Sequence, residues 1–200
     1  MAERNKISKE TSTLGWKQNV VMYLHDLIYL LTAMMIVFLL VFRLIVVSGD
    51  SMYSTLVDGD YMLLLSNVFY REPEIGDIVV ISKQTFDDGK PIVKRVIAKE
   101  GQIVDIDFQQ GIVYVDGFPL DEDYISSPTT VYEGVNFPVI VEEGCYFVLG
   151  DNRGVSKDSR NPEIGFVDSR EILGKALFLL LPGSNHDKSP RDFDRIGAIR

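Results

Sequence analysis

From Leu27 to Val47 the chain carries 21 consecutive residues of which only Thr32 and Arg43 are polar. At 1.5 Å per residue such a run is long enough to cross a hydrocarbon core of roughly 30 Å. A cleaved secretory leader has a shorter apolar stretch followed by a small-x-small site. Val46-Val47-Ser48-Gly49-Asp50 is not such a site, so the run reads as a retained transmembrane anchor over residues 24–47. Residues 1–23 then form a tail and residues 48–200 the folded domain. Arg43, near one end, can snorkel to the interface. Arg4, Lys6, Lys9 and Lys17 precede the run, whereas the next basic residue after Arg43 is Arg71. The positive-inside rule therefore places the N-terminus in the cytoplasm and residues 48–200 outside, in a single-pass arrangement. His25 and Asp26, at the inner edge, read as interfacial residues rather than a proton path.

Charge and cysteine content narrow the function classes. Residues 1–47 hold five Lys/Arg against three Asp/Glu, and the rest fifteen against twenty-six, within a net charge of −9. A domain this acidic is repelled by a phosphate backbone, so a nucleic-acid partner is not expected. The single cysteine, Cys145, excludes an internal disulfide framework. One Cys and two separated His make a structural zinc site improbable, and neither metal nor other cofactor is expected. Within Cys145-Tyr146-Phe147-Val148-Leu149 the cysteine reads as a small core residue.

Beyond the anchor the chain is strand-like. Residues 60–65, 77–81, 91–98, 103–107, 111–116, 139–141, 146–149 and 175–180 are apolar or alternating runs, with Asp116-Gly117 as a turn. No long 3.6-residue period follows the anchor, so a mostly β domain, a sandwich or barrel, is expected. Residues 83–90 and 121–136, rich in Gly, Pro, Ser and acids, read as loops.

Ser51 lies in Ser48-Gly49-Asp50-Ser51-Met52-Tyr53-Ser54, a Gly-containing turn four positions past the anchor. Such a turn can present a reactive hydroxyl. The only histidines, His25 and His186, sit at the membrane edge and in a polar C-terminal stretch, which leaves little for a Ser-His-Asp arrangement. A nucleophilic Ser51 would need a lysine as its base. Lys94 shares a strand face with Ile92 and Val96. Burial there would lower its pKa toward the range a general base needs, although periodicity alone favours an exposed strand lysine with a snorkelling stem. The polar segment from Gly150 to Arg160 reads equally as a buried ion-pair network or as a solvated loop with Asx turns.

Four segments occur in order: the Ser51 turn, Gly76-Asp77-Ile78-Val79-Val80, Lys94-Arg95-Val96-Ile97, and Gly150-Asp151-Asn152-Arg153 through Ser156 to Asp158-Ser159-Arg160. Together they resemble the boxes of bacterial type I signal peptidases, and Arg195-Ile196-Gly197 resembles that family's C-terminal segment. The resemblance implies a Ser–Lys dyad on a signal-peptidase-like β fold, with Ser51 as nucleophile and Lys94 as general base. Ser156 matches the hydroxyl that orients the lysine amine. Asp158 and Arg160 match its supporting ion pair, with Asp151, Asn152 and Arg153 shaping the same loop. Met52 matches a site-proximal residue, and Val47, Leu56 and Val93 would line small pockets suited to Ala-x-Ala before the cut. The implied partners are preproteins bearing signal peptides, together with membrane lipid.

The chain departs from the family pattern at Ser54, where proline is usual, and at Ala98-Lys99-Glu100-Gly101-Gln102, where a Gly-Leu-Pro-Gly-Asp turn is usual. Gly49 stands where some members carry a second oxyanion-hole hydroxyl. Two other readings fit less well. A self-cleaving Ser–Lys repressor domain conflicts with the anchor and the acidic charge. A silent relative acting in surface-protein or pilus assembly conflicts with the joint presence of Ser51, Lys94 and Ser156.

Overall fold

The apolar run is shared between two kinds of element. The structure, a computed structural model, describes residues 2–184 and 190–199. Helix α1 (Ala2–Val41) ends inside the run, and the chain divides there into two compact units, residues 1–41 and 42–200. Gln18–Val41, 24 residues, is long and apolar enough to cross a membrane, at about 36 Å. The last residues of the expected anchor are not helical. They form β1 (Phe42–Val46), paired antiparallel with β2 (Tyr61–Ser66), from Phe42 opposite Leu65 to Val46 opposite Tyr61. Aromatic and β-branched side chains suit a strand there, and the pairing satisfies a backbone that apolarity alone would have left in the helix.

The remaining strands are β3 (Ile78–Ile81), β4 (Ile92–Lys99), β5 (Ile103–Asp107), β6 (Ile112–Val115), β7 (Phe118–Pro119), β8 (Val139–Ile140), β9 (Cys145–Leu149), β10 (Val167–Asp168), β11 (Ile172–Leu181) and β12 (Gly197–Ala198). The fold is mostly β, as expected. The larger sheet runs β1-β2-β11-β3-β4-β9-β10, with β12 on β11, and the smaller runs β7-β6-β5-β8; all pairings are antiparallel. Register shifts in β11 and between β4 and β9 mark bulges, which bend the larger sheet.

Strand β4 is covered on both faces, with Val93 to Ala98 all buried. On one side lie Val47, Met52, Leu56, Met62, Leu64, Ile78, Val80 and Ala176, which also underlie the Ser51 turn. Ile97 and Ala98 join Phe147 and Leu149 in a second cluster with β5 and β6. This double coverage is why a lysine in mid-strand cannot reach bulk water. The atypical turn after β4 is closed by Gln102, whose side chain accepts from the Lys99 amide at 3.0 Å and donates to Asp116 at 2.8 Å. Gly101 supplies the positive φ of 80° that this turn requires.

Candidate active site

Ser51 sits on a turn between β1 and β2 that is bonded down from several sides. The Val47 amide donates to the Asp60 carbonyl, the Gly59 amide to the Val47 carbonyl, and the Gly49 amide to Asp58 Oδ1. The Asp60 carboxylate, fully buried, accepts from the amides of Val57 and Gly183 and pairs with Arg195 at 2.7 Å. Arg195 also donates to the Thr55 carbonyl. From the opposite side, the Asn152 amide donates to the Ser51 carbonyl at 3.0 Å, and the Asn152 side chain to the Asp50 carbonyl at 3.1 Å. Among the described residues no acceptor takes the Ser51 amide hydrogen.

Lys94 reaches this turn from the middle of β4. Its Nζ lies 2.8 Å from Ser51 Oγ and 2.9 Å from the Val93 carbonyl oxygen. The residue is 3% exposed. Burial lowers its pKa to about 8, against the opposing pull of Asp158, Asp151 and Glu133. Desolvation therefore exceeds three carboxylates' attraction here, and a neutral amine is accessible near neutral pH.

The Gly150–Arg160 segment is a buried network, not a solvated loop: Asp151, Arg153, Ser156, Asp158, Ser159 and Arg160 are all buried. Asp151 takes a two-point bond from Arg95 at 2.9 and 2.7 Å and accepts from Thr55 Oγ1 at 2.6 Å. Arg95 also lies 4.0 Å from the Tyr124 ring centroid. Asp158 holds Arg160 at 2.8 and 2.9 Å and accepts from the Gly150 amide at 3.0 Å. Arg153 pairs with Glu122 at 2.5 Å and donates to Thr129. Ser156 differs from the role the resemblance implied. Its hydroxyl faces the Lys157 carbonyl at 3.5 Å and makes no hydrogen bond to Lys94. The Val93 carbonyl takes a Lys94 hydrogen instead, at 2.9 Å.

A cleft of about 360 Å³ opens beside Ser51 and Lys94. Val47, Met52 and Val93 are among its lining residues, whereas Leu56 lies fully buried in the core. The remaining wall was not foreseen: Leu44, Ile45 and Val46 of β1 and Val80 of β3 face the same space. Cys145 is half-buried at a distance from this cleft, and burial raises its thiol pKa, which disfavours a nucleophilic role. Among the described residues no cluster of side chains could hold a metal. His186 lies outside the described residues, and His25 is in α1, edge-on to Tyr29.

Comparison with known proteins places this geometry in context. The model of a family described as "Signal peptidase, peptidase S26" matches residues 20–181. The chain is 41% identical to a probable signal peptidase I-1 of Synechocystis, over 69% of this chain and 70% of that protein. It is 33% identical to a signal peptidase I of Bacillus licheniformis, over 91% of this chain and 96% of the relative. Signal peptidase I T of Bacillus subtilis is 35% identical, over 90% of this chain and 91% of its own length.

Proposed function

The chain belongs to the signal peptidase family, peptidase S26, and on that footing we propose that Ser51 and Lys94 form its catalytic dyad. As a signal peptidase I enzyme it removes signal peptides from preproteins. The observation that carries the dyad is the 2.8 Å approach of a buried Lys94 Nζ to Ser51 Oγ.

In the reaction, neutral Lys94 takes the Ser51 proton as Oγ forms a bond to the scissile carbonyl carbon. The Ser51 amide, free of acceptors among the described residues, donates to the developing oxyanion. Collapse breaks the C–N bond, and protonated Lys94 gives its proton to the leaving amine. Water then attacks the ester, again with Lys94 as base, and releases the signal peptide with a new carboxylate. Asp158 and Arg160 hold the network around the lysine, and Ser156 fills the space against Gly150.

The substrate enters the cleft lined by Val47, Met52 and Val93, whose small apolar volume suits Ala-x-Ala before the cut; Leu56 supports its floor. Helix α1 crosses the membrane with the N-terminus cytoplasmic and residues 42–200 outside. Ser51 follows Val41 by ten residues, a tether that keeps the nucleophile near the membrane surface and raises the local concentration of emerging signal peptides.

The reading is tested by incubating a preprotein with the wild-type chain and with Ser51→Ala. The expected result is cleavage only by the wild type, with both proteins folded. Cleavage by Ser51→Ala near the wild-type rate contradicts the assignment.

A further inference from the structure

Thr55 lies four residues beyond Ser51 on the same turn, and it is held at both ends. Its hydroxyl donates to Asp151 Oδ2 at 2.6 Å, and its carbonyl accepts from Arg195 at 3.2 Å. The stretch between Ser51 and Thr55 is closed on itself. The Tyr53 amide donates to the Asp50 carbonyl at 3.1 Å, and the Leu56 amide to the Met52 carbonyl at 2.8 Å. A constraint on Thr55 is therefore passed to the segment that carries the Ser51 side chain.

The acceptor of that hydroxyl is itself fixed. Asp151 is fully buried and takes the two-point bond from Arg95 at 2.9 and 2.7 Å. Arg95 is buried too, and it donates in addition to the Gly76 carbonyl at 2.9 Å. It follows Lys94 directly on β4. The turn and the strand thus meet twice. One meeting is the 2.8 Å approach of Lys94 Nζ to Ser51 Oγ. The other runs from Thr55 through Asp151 to Arg95, by hydrogen bonds to a carboxylate, which are stronger than neutral ones. The first is the contact that reacts; the second needs no change during the reaction.

We propose that Thr55 is a positioning residue of the reaction, whose hydroxyl, bonded to Asp151, holds the Ser51 turn at reacting distance from Lys94. The inference rests on Ser51 and Lys94 as the dyad. The Thr55 hydroxyl bonds to Asp151 and not to either dyad side chain. Thr55 is also not among the residues lining the cleft beside Ser51. Its loss should therefore spare substrate binding and slow the chemical step.

The test is kcat and KM for preprotein cleavage by the full chain, measured below the unfolding midpoint of every variant. Thr55→Val keeps the branched shape and removes the hydroxyl; Asp151 retains both bonds from Arg95, so the buried network survives. In this variant kcat should fall by about tenfold to a hundredfold, the scale of a small misplacement at the reacting groups. KM should stay within about twofold of the wild type, since no binding contact is lost. Thr55→Ser restores the hydroxyl and should recover most of the rate. Thr55→Ala carries the same expectation as Thr55→Val and replaces it if the valine variant does not fold. A wild-type kcat in the variants lacking the hydroxyl overturns the proposal, as does a loss confined to KM. A serine variant no faster than the valine one also overturns it, and so does failure of both Thr55→Val and Thr55→Ala to fold, which would make the hydroxyl structural. Ser51→Ala is assayed alongside: cleavage by that variant would refute the dyad instead, so the two failures are distinguishable.

Discussion

Gly150 and Ser156 are packed so closely that a methyl group on residue 150 would overlap the Ser156 side chain and stand 2.5 Å from the Ser51 carbonyl oxygen. The same glycine's amide is bonded to Asp158 at 3.0 Å, which ties the backbone there to the buried network. The hydrophobic core is untouched by such a change. The nucleophile's turn is what must give way.

Gly150→Ala should therefore fold and lose activity. A displacement of about 1 Å at a reacting group can cost on the order of a hundredfold in rate, and a loss of at least that size is expected in preprotein cleavage. Wild-type activity in this variant would show that the Ser51 turn tolerates movement.

Lys94 should lower the stability of the folded enzyme at neutral pH. Its pKa falls from 10.5 to about 8 on burial, so the folded state binds the proton less tightly than the unfolded chain does. The resulting penalty is complete below pH 8 and is relieved as pH rises from 8 to 10.5. It amounts to about 3 kcal/mol. Lys94→Met should gain stability relative to the wild type at pH 7, and that gain should shrink by about this amount by pH 11. Unfolding followed against denaturant at the two pH values checks it, and a gain independent of pH would contradict the buried-lysine account.

Neither histidine should set the acidic limb of the activity profile. His25 is in α1, and the position of Ser51 and Lys94 leaves the proton transfer to the lysine. Replacement of both His25 and His186 should leave the limb near pH 8. A double variant whose limb disappears would assign the proton transfer to a histidine.

The sequence exposed some of these features more readily than others. The strands from Asp60 to Leu180 were visible as apolar or alternating runs because their side-chain period is local. Ser51 and Lys94 were visible through the segments around them, yet periodicity alone favoured an exposed lysine. Its burial depends on core packing over both faces of β4, which no local pattern encodes. Strand β1 was hidden because Phe42–Val46 continues the apolarity of the helix, and only pairing with β2, some twenty residues away, makes it a strand. Residues 121–136 read as a loop from their Gly, Pro, Ser and acids. In the fold, its Glu122 and Glu133 face Arg153 and Arg160. Acidic residues in a loop carry no sequence mark of such partners, and the nearest available signal was the unusual density of arginine and aspartate in residues 150–160.

The most direct test of the account is the cleavage rate of Lys94→Arg beside that of Lys94→Ala. Arginine retains the positive charge but cannot release its proton, so it separates a base from a mere cation. If Lys94 takes the Ser51 proton, both variants should be inactive to the same degree in preprotein cleavage, with their folds retained. Substantial cleavage by Lys94→Arg would show that the site needs only the charge, and would contradict the Ser51–Lys94 mechanism.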